Sequence, residues 1–220
     1  MRIEKQTLNF LKELGKNNNR EWFQENKQMY DGALGNVKQF ITDLIGALST
    51  FDPHINTDIQ ASRCLFRIYR DTRFSKDKTP YKTWFSAGIS VDGRKLDGPE
   101  YYVHIEPGKS FLAAGYWRPG KAHLDAIRQE IDYSYNELIE ALAQGNWTVD
   151  DLSSEDKLKR APSGYHEDDP HIEVLKLKSF ILYQGFTDAE ITSDHALQQH
   201  VDTAKRIFPF KRFIHQALDQ

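Results

Sequence analysis

The spacing of apolar residues predicts two helices at the start of the chain. Leucines recur every three positions within residues 7–14, and the glycine and asparagines that follow supply a stop and new cap candidates. A second apolar stripe with helical spacing runs over residues 22–48, which predicts one helix of about 28 residues. Gly32 and Gly35 lie near its middle and permit a kink or a break there.

Alternation of apolar and polar side chains predicts strands in the middle of the chain. Residues 64–69 alternate so that one face of the strand is fully apolar and the other is mixed. Turn signals at Asp92-Gly93 and Pro107-Gly108 separate further segments of this kind, and short turns favour an antiparallel meander. The remaining strand predictions cover residues 83–91, 101–106, 110–117 and, later in the chain, 179–186.

Helical spacing returns in the second half of the chain. Apolar residues within 124–142 predict a helix that stops near Gly145. Asp169-Pro170 is typical of a helix start, and a short helix is expected after it. The last helix is predicted over residues 193–207, with an interruption at Pro209 and a final amphipathic turn or two.

The order of these elements, helices followed by strands and then helices, indicates the α+β class. We expect a largely antiparallel sheet of about five strands, made of the meander plus one later strand and packed by the N-terminal and C-terminal helices. The chain has no internal repeat, low-complexity tract or linker composition. Residues 1–220 are therefore predicted to form a single domain.

Composition narrows the compartment and the kinds of site. The 220 residues carry a formal net charge of −3, and the single cysteine, Cys64, excludes an intramolecular disulfide or a multi-cysteine metal site. No apolar run approaches the ~20 residues that a bilayer requires, and the N-terminus lacks signal-peptide features. We expect a cytoplasmic protein without a membrane partner, a metal or another cofactor, and its oligomeric state is left open.

Charge is concentrated in one segment of this acidic chain. Residues 63–82 contain seven Lys and Arg against two Asp, a net charge of +5, so the other 200 residues carry −8. Arginine can clamp two oxygens of a phosphate or carboxylate, lysine adds a point charge, and an aspartate can position the cations or act as a base. Tyr69, Phe74 and Tyr81 could stack on a ring. The candidate ligand-binding residues are Arg67, Arg70, Asp71, Arg73, Lys76, Asp77, Lys78, Tyr81 and Lys82.

Three interpretations of this segment remain open. The first is a site for a phosphorylated or carboxylated small ligand, with phosphoryl or nucleotide chemistry as the class if the protein is an enzyme. The second is a non-enzymatic module that docks an acidic protein or an RNA surface. The third is structural, with the charges satisfied by Arg–Asp and Lys–Asp pairs within the loop. DNA binding is the weakest interpretation, because no helix gathers Lys and Arg on one face.

The run RIYRDTRFSKDKTPYK, from Arg67 to Lys82, resembles the signature of a widespread family catalogued as domain of unknown function 2461. The resemblance implies a single conserved domain and assigns no reaction, ligand or cofactor. It covers nearly the full chain, because four further segments are similar to the family pattern: FLKELGKNNNREWFQENKQMY, YYVHIEPGKSFLAAGYWRP, IRQEI and APSGYHEDDPHIEVLKLKSF.

Other candidate residues give weaker indications of function. Tyr102, His104 and Glu106 share one face of a predicted strand, where a histidine and a carboxylate could act as a base and its orienting group, or as metal ligands. The alternative is the solvated face of a sheet. Cys64 is expected to be a buried apolar thiol. His166 and His171 flank a predicted helix cap, and His195 and His200 point to different helix faces. Polar residues beside Trp22 and Phe23 could line a cleft, namely Asn18, Asn19, Arg20, Glu21 and Asn26.

Overall fold

A computed structural model describes residues 1–95 and 97–219 of the chain. The protein is of the α+β class, as expected. Its helices and strands are α1 (Lys5–Lys16), α2 (Arg20–Glu25), α3 (Lys27–Leu48), α4 (Ala61–Cys64), β1 (Phe85–Ile89), β2 (Glu100–Ile105), β3 (Ser110–Tyr116), α5 (Lys121–Tyr133), α6 (Tyr135–Gln144), α7 (Ile172–Leu175), β4 (Phe180–Phe186), α8 (Asp188–Ile191) and α9 (Ala196–Gln216).

The sheet is antiparallel and has the strand order β1-β2-β3-β4. The prediction of about five strands is wrong by one within the described residues, because the segment 64–69 does not become a sheet strand. Cys64 ends α4, and the residues after it form only two isolated bridges, Leu65 with Ala87 and Tyr69 with Tyr81.

The physical reason for the missing strand is a change of register in this hairpin. Tyr69 lies four positions after Leu65, whereas Ala87 lies six positions after Tyr81, so two extra residues bulge from the returning arm. Backbone hydrogen bonds persist on both sides of the bulge: Phe66 donates to Ser86 at 2.9 Å, and Lys82 donates to Ile68 at 2.8 Å. The two segments therefore form a hairpin whose series of backbone hydrogen bonds is interrupted by the bulge.

The N-terminal helical region is divided at an asparagine and not at its glycines. Asn26 leaves helical geometry at φ −105° and ψ 22°, and its side chain donates to the Trp22 carbonyl at 2.9 Å. The Asn26 N–H also donates to the Trp22 carbonyl at 3.0 Å, so the side chain and the backbone of Asn26 share one acceptor where α2 ends and α3 begins. Gly32 and Gly35 lie within α3.

Two predictions for the C-terminal half also need correction. The helix predicted over 124–142 is two helices, α5 and α6, because Ser134 leaves helical geometry at φ −122° and ψ 37°. Pro209 lies inside the continuous helix α9. Buried Ile207, Phe210 and Ile214 maintain the apolar period across the proline, and their packing offsets the missing hydrogen bond.

The chain divides into two compact units. The first is formed by Met1–Lys95, Tyr102–Leu112 and Gln184–Asp202, and α1 packs against α3 in it. The second is built mainly from Ala113–Tyr183 and the stretch that begins at Thr203, and α5 packs against α6 and α7 in it. The prediction of a single domain over 1–220 stays a prediction. Within the described part of the chain, no helix combines the length and apolar character needed to cross a bilayer.

Candidate functional site

The basic segment forms the far end of the irregular hairpin in the first unit. Arg70 donates its backbone N–H to the Pro80 carbonyl at 2.9 Å, which closes the hairpin and leaves residues 71–79 as its loop. Ile68 is buried at the base, whereas Tyr69 is half exposed. The hairpin therefore holds the loop on a fixed base and presents its side chains to solvent.

An aromatic cluster anchors this end of the hairpin to α2. The Tyr81 ring stacks on the Phe23 ring at a centroid distance of 4.1 Å and an interplanar angle of 13°. Phe23 also contacts Tyr30 at 5.0 Å and Phe10 at 6.5 Å. The side-chain amide of Asn18 bonds the Tyr81 backbone from the loop before α2. These contacts bring α2 and the hairpin together along one edge.

A cavity of about 270 Å³ lies along this edge. Arg20 and Gln24 of α2 line it from one side, and the hairpin lines it from the other. It thus combines two guanidinium groups with two phenol rings and lies beside the aromatic cluster around Phe23. The hairpin residues that line it are Tyr69, Arg70, Thr72, Pro80 and Tyr81.

Arg70 is oriented by a polar network on the loop. Its Nη1 atom donates to the Thr79 hydroxyl at 2.6 Å and to the Asp77 carboxylate. The Thr79 N–H and hydroxyl each donate to Asp77 Oδ1 at 2.9 Å. The Thr79 N–H, followed by the Arg70 guanidinium, lowers the pKa of Asp77 to about 2. The carboxylate is therefore ionised at neutral pH and fixes one edge of the guanidinium.

The other hydrogen-bond donors of the two cavity arginines are unused. Within residues 1–95 and 97–219, Arg70 Nη2 and Nε donate to no group, and the exposed Arg20 guanidinium forms no ion pair. Burial raises the pKa of Tyr81, and the neighbouring Tyr69 raises it further. The Tyr81 hydroxyl is therefore protonated at neutral pH and can donate a hydrogen bond.

Most of the other basic residues in the segment point to other partners. Arg73 forms a two-pronged pair with Asp71, with Nη2 at 2.7 Å and Nε at 3.0 Å from the carboxylate oxygens. Lys78 donates to the Thr72 carbonyl at 2.9 Å, and Lys82 lies 5.7 Å from the centroid of the Phe66 ring. Burial, and next the charge of Arg67, lowers the pKa of Lys82. Lys76 is exposed and, like Arg67, forms no ion pair among the described residues.

Only some of the residues predicted to bind a ligand therefore lie at the cavity. Arg70 and Tyr81 line the cavity, and Asp77 supports Arg70. The other predicted residues, Arg67, Asp71, Arg73, Lys76, Lys78 and Lys82, do not line it. Arg20 belongs to the cleft that the sequence suggested beside Trp22 and Phe23, whereas Gln24 was not anticipated. Its only signal is its place one helical turn after Arg20 on the same short helix.

A comparison with family models shows where the chain belongs. The model for a conserved hypothetical protein, DUF2461, matches residues 6–213 of the 220. The chain is a member of the DUF2461 family. A search of curated proteins and a search of solved structures each found no match. The family description assigns no activity, so the arguments about function rest on the geometry.

Both sides of the cavity lie within the part of the chain that matches DUF2461.

The β2 histidine of this DUF2461 protein lies in a different environment. His104 is nearly buried, stacks on Phe111 at 4.8 Å and forms a 2.9 Å contact through Nε2 with Glu106. The Tyr102 hydroxyl lies 3.4 Å from its Nδ1 atom. Burial lowers the pKa of His104, while Glu106 raises it. Both ring nitrogens are occupied, which fits a structural histidine.

The remaining sequence candidates are also accounted for by packing. Cys64 is fully buried, as expected of an apolar thiol. His200 is buried between Phe40 and Phe186, and His171 stacks on Tyr135. Asp169 accepts a hydrogen bond from the His171 N–H at 2.7 Å just before α7, but α7 begins at Ile172 with His171 as its N-cap, so the short helix is present and begins two residues later than the predicted start at Pro170. Within the described residues, no three His, Cys, Asp or Glu side chains group as metal ligands.

Proposed function

We propose that the cavity lined by Arg20 and Arg70 binds a small molecule with a phosphate or carboxylate group. The observation that carries this proposal is that two guanidiniums line one cavity, while within the described residues Arg70 Nε, Arg70 Nη2 and the Arg20 guanidinium donate to no group. Guanidinium groups bind such anions through two parallel hydrogen bonds, and these bonds are about twice as strong as neutral ones. Arg70 is already oriented by Asp77 and Thr79, so less conformational freedom is lost when it binds.

The cavity offers neutral donors beside these charges. The Tyr81 hydroxyl is a protonated phenol, and Thr72 and Gln24 also line the cavity. A ligand oxygen can therefore be held by charged and uncharged donors together. We assign no reaction to the site, because the groups that line it bind and orient an anion without supplying a nucleophile that a neighbouring base activates.

Calorimetric titration with inorganic phosphate tests the proposal, with Arg73→Gln as the matched control. Arg20→Gln and Arg70→Gln should each weaken phosphate binding at least tenfold, because each removes one charged donor from the cavity. Arg73→Gln removes the same charge from the adjoining loop, but Arg73 is turned to Asp71, so binding should change less than twofold. Added salt should weaken wild-type binding.

Two results would count against the proposal. Equal losses in all three variants would mean that the general charge of the hairpin matters and the cavity does not. Unchanged phosphate binding in Arg20→Gln and Arg70→Gln would place the anion elsewhere. Circular dichroism melts of each variant separate these outcomes from loss of folding.

The loop tip favours a second candidate function, docking to an acidic protein surface. Phe74 is 95% exposed, and the side chain of its neighbour Arg73 is 76% exposed. An exposed aromatic ring beside an arginine is a residue combination enriched at protein interfaces. Binding to polyglutamate that is lost in Phe74→Ser and retained in Arg20→Gln would support docking. Binding to an RNA homopolymer with the same pattern would support the RNA alternative.

A further inference from the structure

The cavity has more room than a simple anion fills. Its volume of about 270 Å³ equals the liquid volume of roughly nine water molecules at about 30 Å³ each. A phosphate group, with one phosphorus and four oxygens, would leave most of this space to solvent. The volume is also just below the roughly 300 to 1,000 Å³ typical of pockets for larger organic ligands. The size therefore suits a small organic group attached to the anion.

Two aromatic rings line part of the cavity. Tyr69 and Tyr81 both line the cavity, and their rings lie 5.3 Å apart at an interplanar angle of 50°. Two rings at this angle form a corner that a flat group can contact on a face and along an edge. Pro80 adds a third apolar surface to the lining.

The two tyrosines differ in how they are held. Tyr81 is only 3% exposed and stacks on Phe23, so it is a fixed wall. Tyr69 is 50% exposed, so much of its ring surface is open to contact. A ring that bound beside Tyr69 would bury this apolar surface while its acid group reached Arg20 or Arg70. Contact between aromatic rings adds about 0.5 to 1.5 kcal/mol beyond the burial of area.

We infer that the ligand of this cavity is a monocyclic aromatic compound with a phosphate or carboxylate group, whose ring packs against the exposed surface of Tyr69. This inference rests on the proposed anion-binding function and adds the class of the organic group. Its two halves depend on different residues. Arg20 and Arg70 bind the acid group, and Tyr69 selects the ring.

Four ligands test the inference: inorganic phosphate, phenyl phosphate, cyclohexyl phosphate and adenosine monophosphate. Cyclohexyl phosphate is the matched control, because it has a ring of six carbons without the flat π face. We expect phenyl phosphate to bind about 2- to 10-fold more tightly than cyclohexyl phosphate, the ratio that corresponds to the aromatic contribution. Adenosine monophosphate, whose sugar separates its two-ring base from the phosphate, should bind no more tightly than phenyl phosphate.

Substitution of Tyr69 separates the ring from the anion. Tyr69→Phe should keep the preference for phenyl over cyclohexyl phosphate, because the ring remains. Tyr69→Leu should abolish that preference and change the affinity for inorganic phosphate less than twofold. Melting curves of both variants show whether they fold.

The results distinguish failure of the inference from failure of the proposed function. Equal binding of inorganic, phenyl and cyclohexyl phosphates to the wild type would overturn the aromatic class while leaving anion binding intact. Tighter binding of adenosine monophosphate by more than tenfold would overturn the assignment to a single ring. Absence of binding by all four ligands would overturn the proposed function itself.

Discussion

The side chain of Asn18 pairs with both polar groups of the Tyr81 backbone. The Tyr81 N–H donates to Asn18 Oδ1 at 3.1 Å, and Asn18 Nδ2 donates to the Tyr81 carbonyl at 2.9 Å. An amide side chain can do this because it contains an acceptor and a donor side by side, as a peptide group does. Asn18 thus takes the place of a neighbouring strand for one residue. The loop before α2 is tied in this way to the hairpin arm that lines the cavity.

Replacement of Asn18 should therefore damage both stability and the cavity. In Asn18→Ala the Tyr81 N–H and carbonyl lose their partners, and unfolding by urea should become easier by about 1 to 3 kcal/mol. Asn18→Asp keeps the acceptor but sets a carboxylate against the Tyr81 carbonyl, so it should not restore stability. Phosphate affinity should fall in both variants, because Tyr81 is no longer held against Phe23.

Asn17→Ala is the control for this prediction. The Asn17 side chain donates to the Glu13 carbonyl of its own helix at 3.0 Å and does not contact the hairpin. Its loss should leave phosphate affinity unchanged and cost less stability than Asn18→Ala. An equal effect of the two substitutions on phosphate affinity would show that the Asn18–Tyr81 pairing does not position the cavity.

Part of the site could be predicted because several of its charged and aromatic residues lie close together in the sequence. The basic run that contains Arg70 and Tyr81 is distinct by charge alone, and the cleft beside Trp22 included Arg20. What the pattern could not show is which cations face a common space. Asp71 accepts a hydrogen bond from the Arg73 N–H at 3.2 Å, and this tight turn places its carboxylate beside the Arg73 guanidinium. Such pairing depends on loop geometry and not on composition.

The fold was predictable where periodicity is regular and failed where a local hydrogen bond or a bulge interrupts it. The strands β2, β3 and β4 lie within one or two residues of their predicted ranges. The segment from Cys64 to Tyr69 has the alternation of a strand, but alternation does not reveal that its partner arm contains two extra residues. Likewise, Asn26 leaves helical geometry at a position where the apolar stripe continues on both sides.

Glycine substitutions distinguish a close backbone contact from open space. A Cβ atom on Gly145 would lie 1.9 Å from the Arg206 carbonyl oxygen, which is part of helix α9. Gly145→Ala must displace backbone, and we expect it to destabilise the protein by about 1 to 3 kcal/mol. Gly46 lies within helix α3, and a Cβ there meets nothing within 4 Å. Gly46→Ala should therefore stabilise by about 0.5 to 1 kcal/mol.

Urea unfolding of the two glycine variants at one pH checks the predicted loss of stability in Gly145→Ala and the predicted gain in Gly46→Ala. A stable Gly145→Ala protein would mean that the C-terminal end of α6 can move away from α9 at little cost. Loss of stability in Gly46→Ala would indicate that the outer surface of α3 is covered in solution.

Two buried groups should give the protein opposing pH dependences. Burial lowers the pKa of His200 to about 4, and burial raises the pKa of Glu100 to about 7. The unfolded chain, with an ordinary His value of 6.5, binds the His200 proton more readily than the folded protein does. The stability due to neutral His200 is thus present above pH 6.5 and is lost as the pH falls towards 4.

Glu100 acts in the other direction. Its ordinary pKa is 4.5, so the folded protein binds the Glu100 proton more readily than the unfolded chain does. The contribution of protonated Glu100 is present below pH 4.5 and is lost as the pH rises through 7. Between pH 4.5 and 6.5 the two slopes oppose each other, and the wild-type free energy of unfolding should vary little.

Single substitutions should expose each slope separately in urea unfolding measured from pH 4.5 to 8. Glu100→Gln removes the contribution that is lost as the pH rises, so the free energy of unfolding of this variant should increase with pH up to about 6.5. It should exceed the wild-type value most clearly at pH 8. The rise is limited to roughly 3 kcal/mol, since one pKa unit corresponds to about 1.4 kcal/mol. His200→Phe, placed between Phe40 and Phe186, should instead lose stability as the pH rises. Glu140→Gln, at an exposed position of α6, is the control and should follow the wild-type profile. Parallel profiles for all four proteins would show that neither buried group changes its proton affinity on folding.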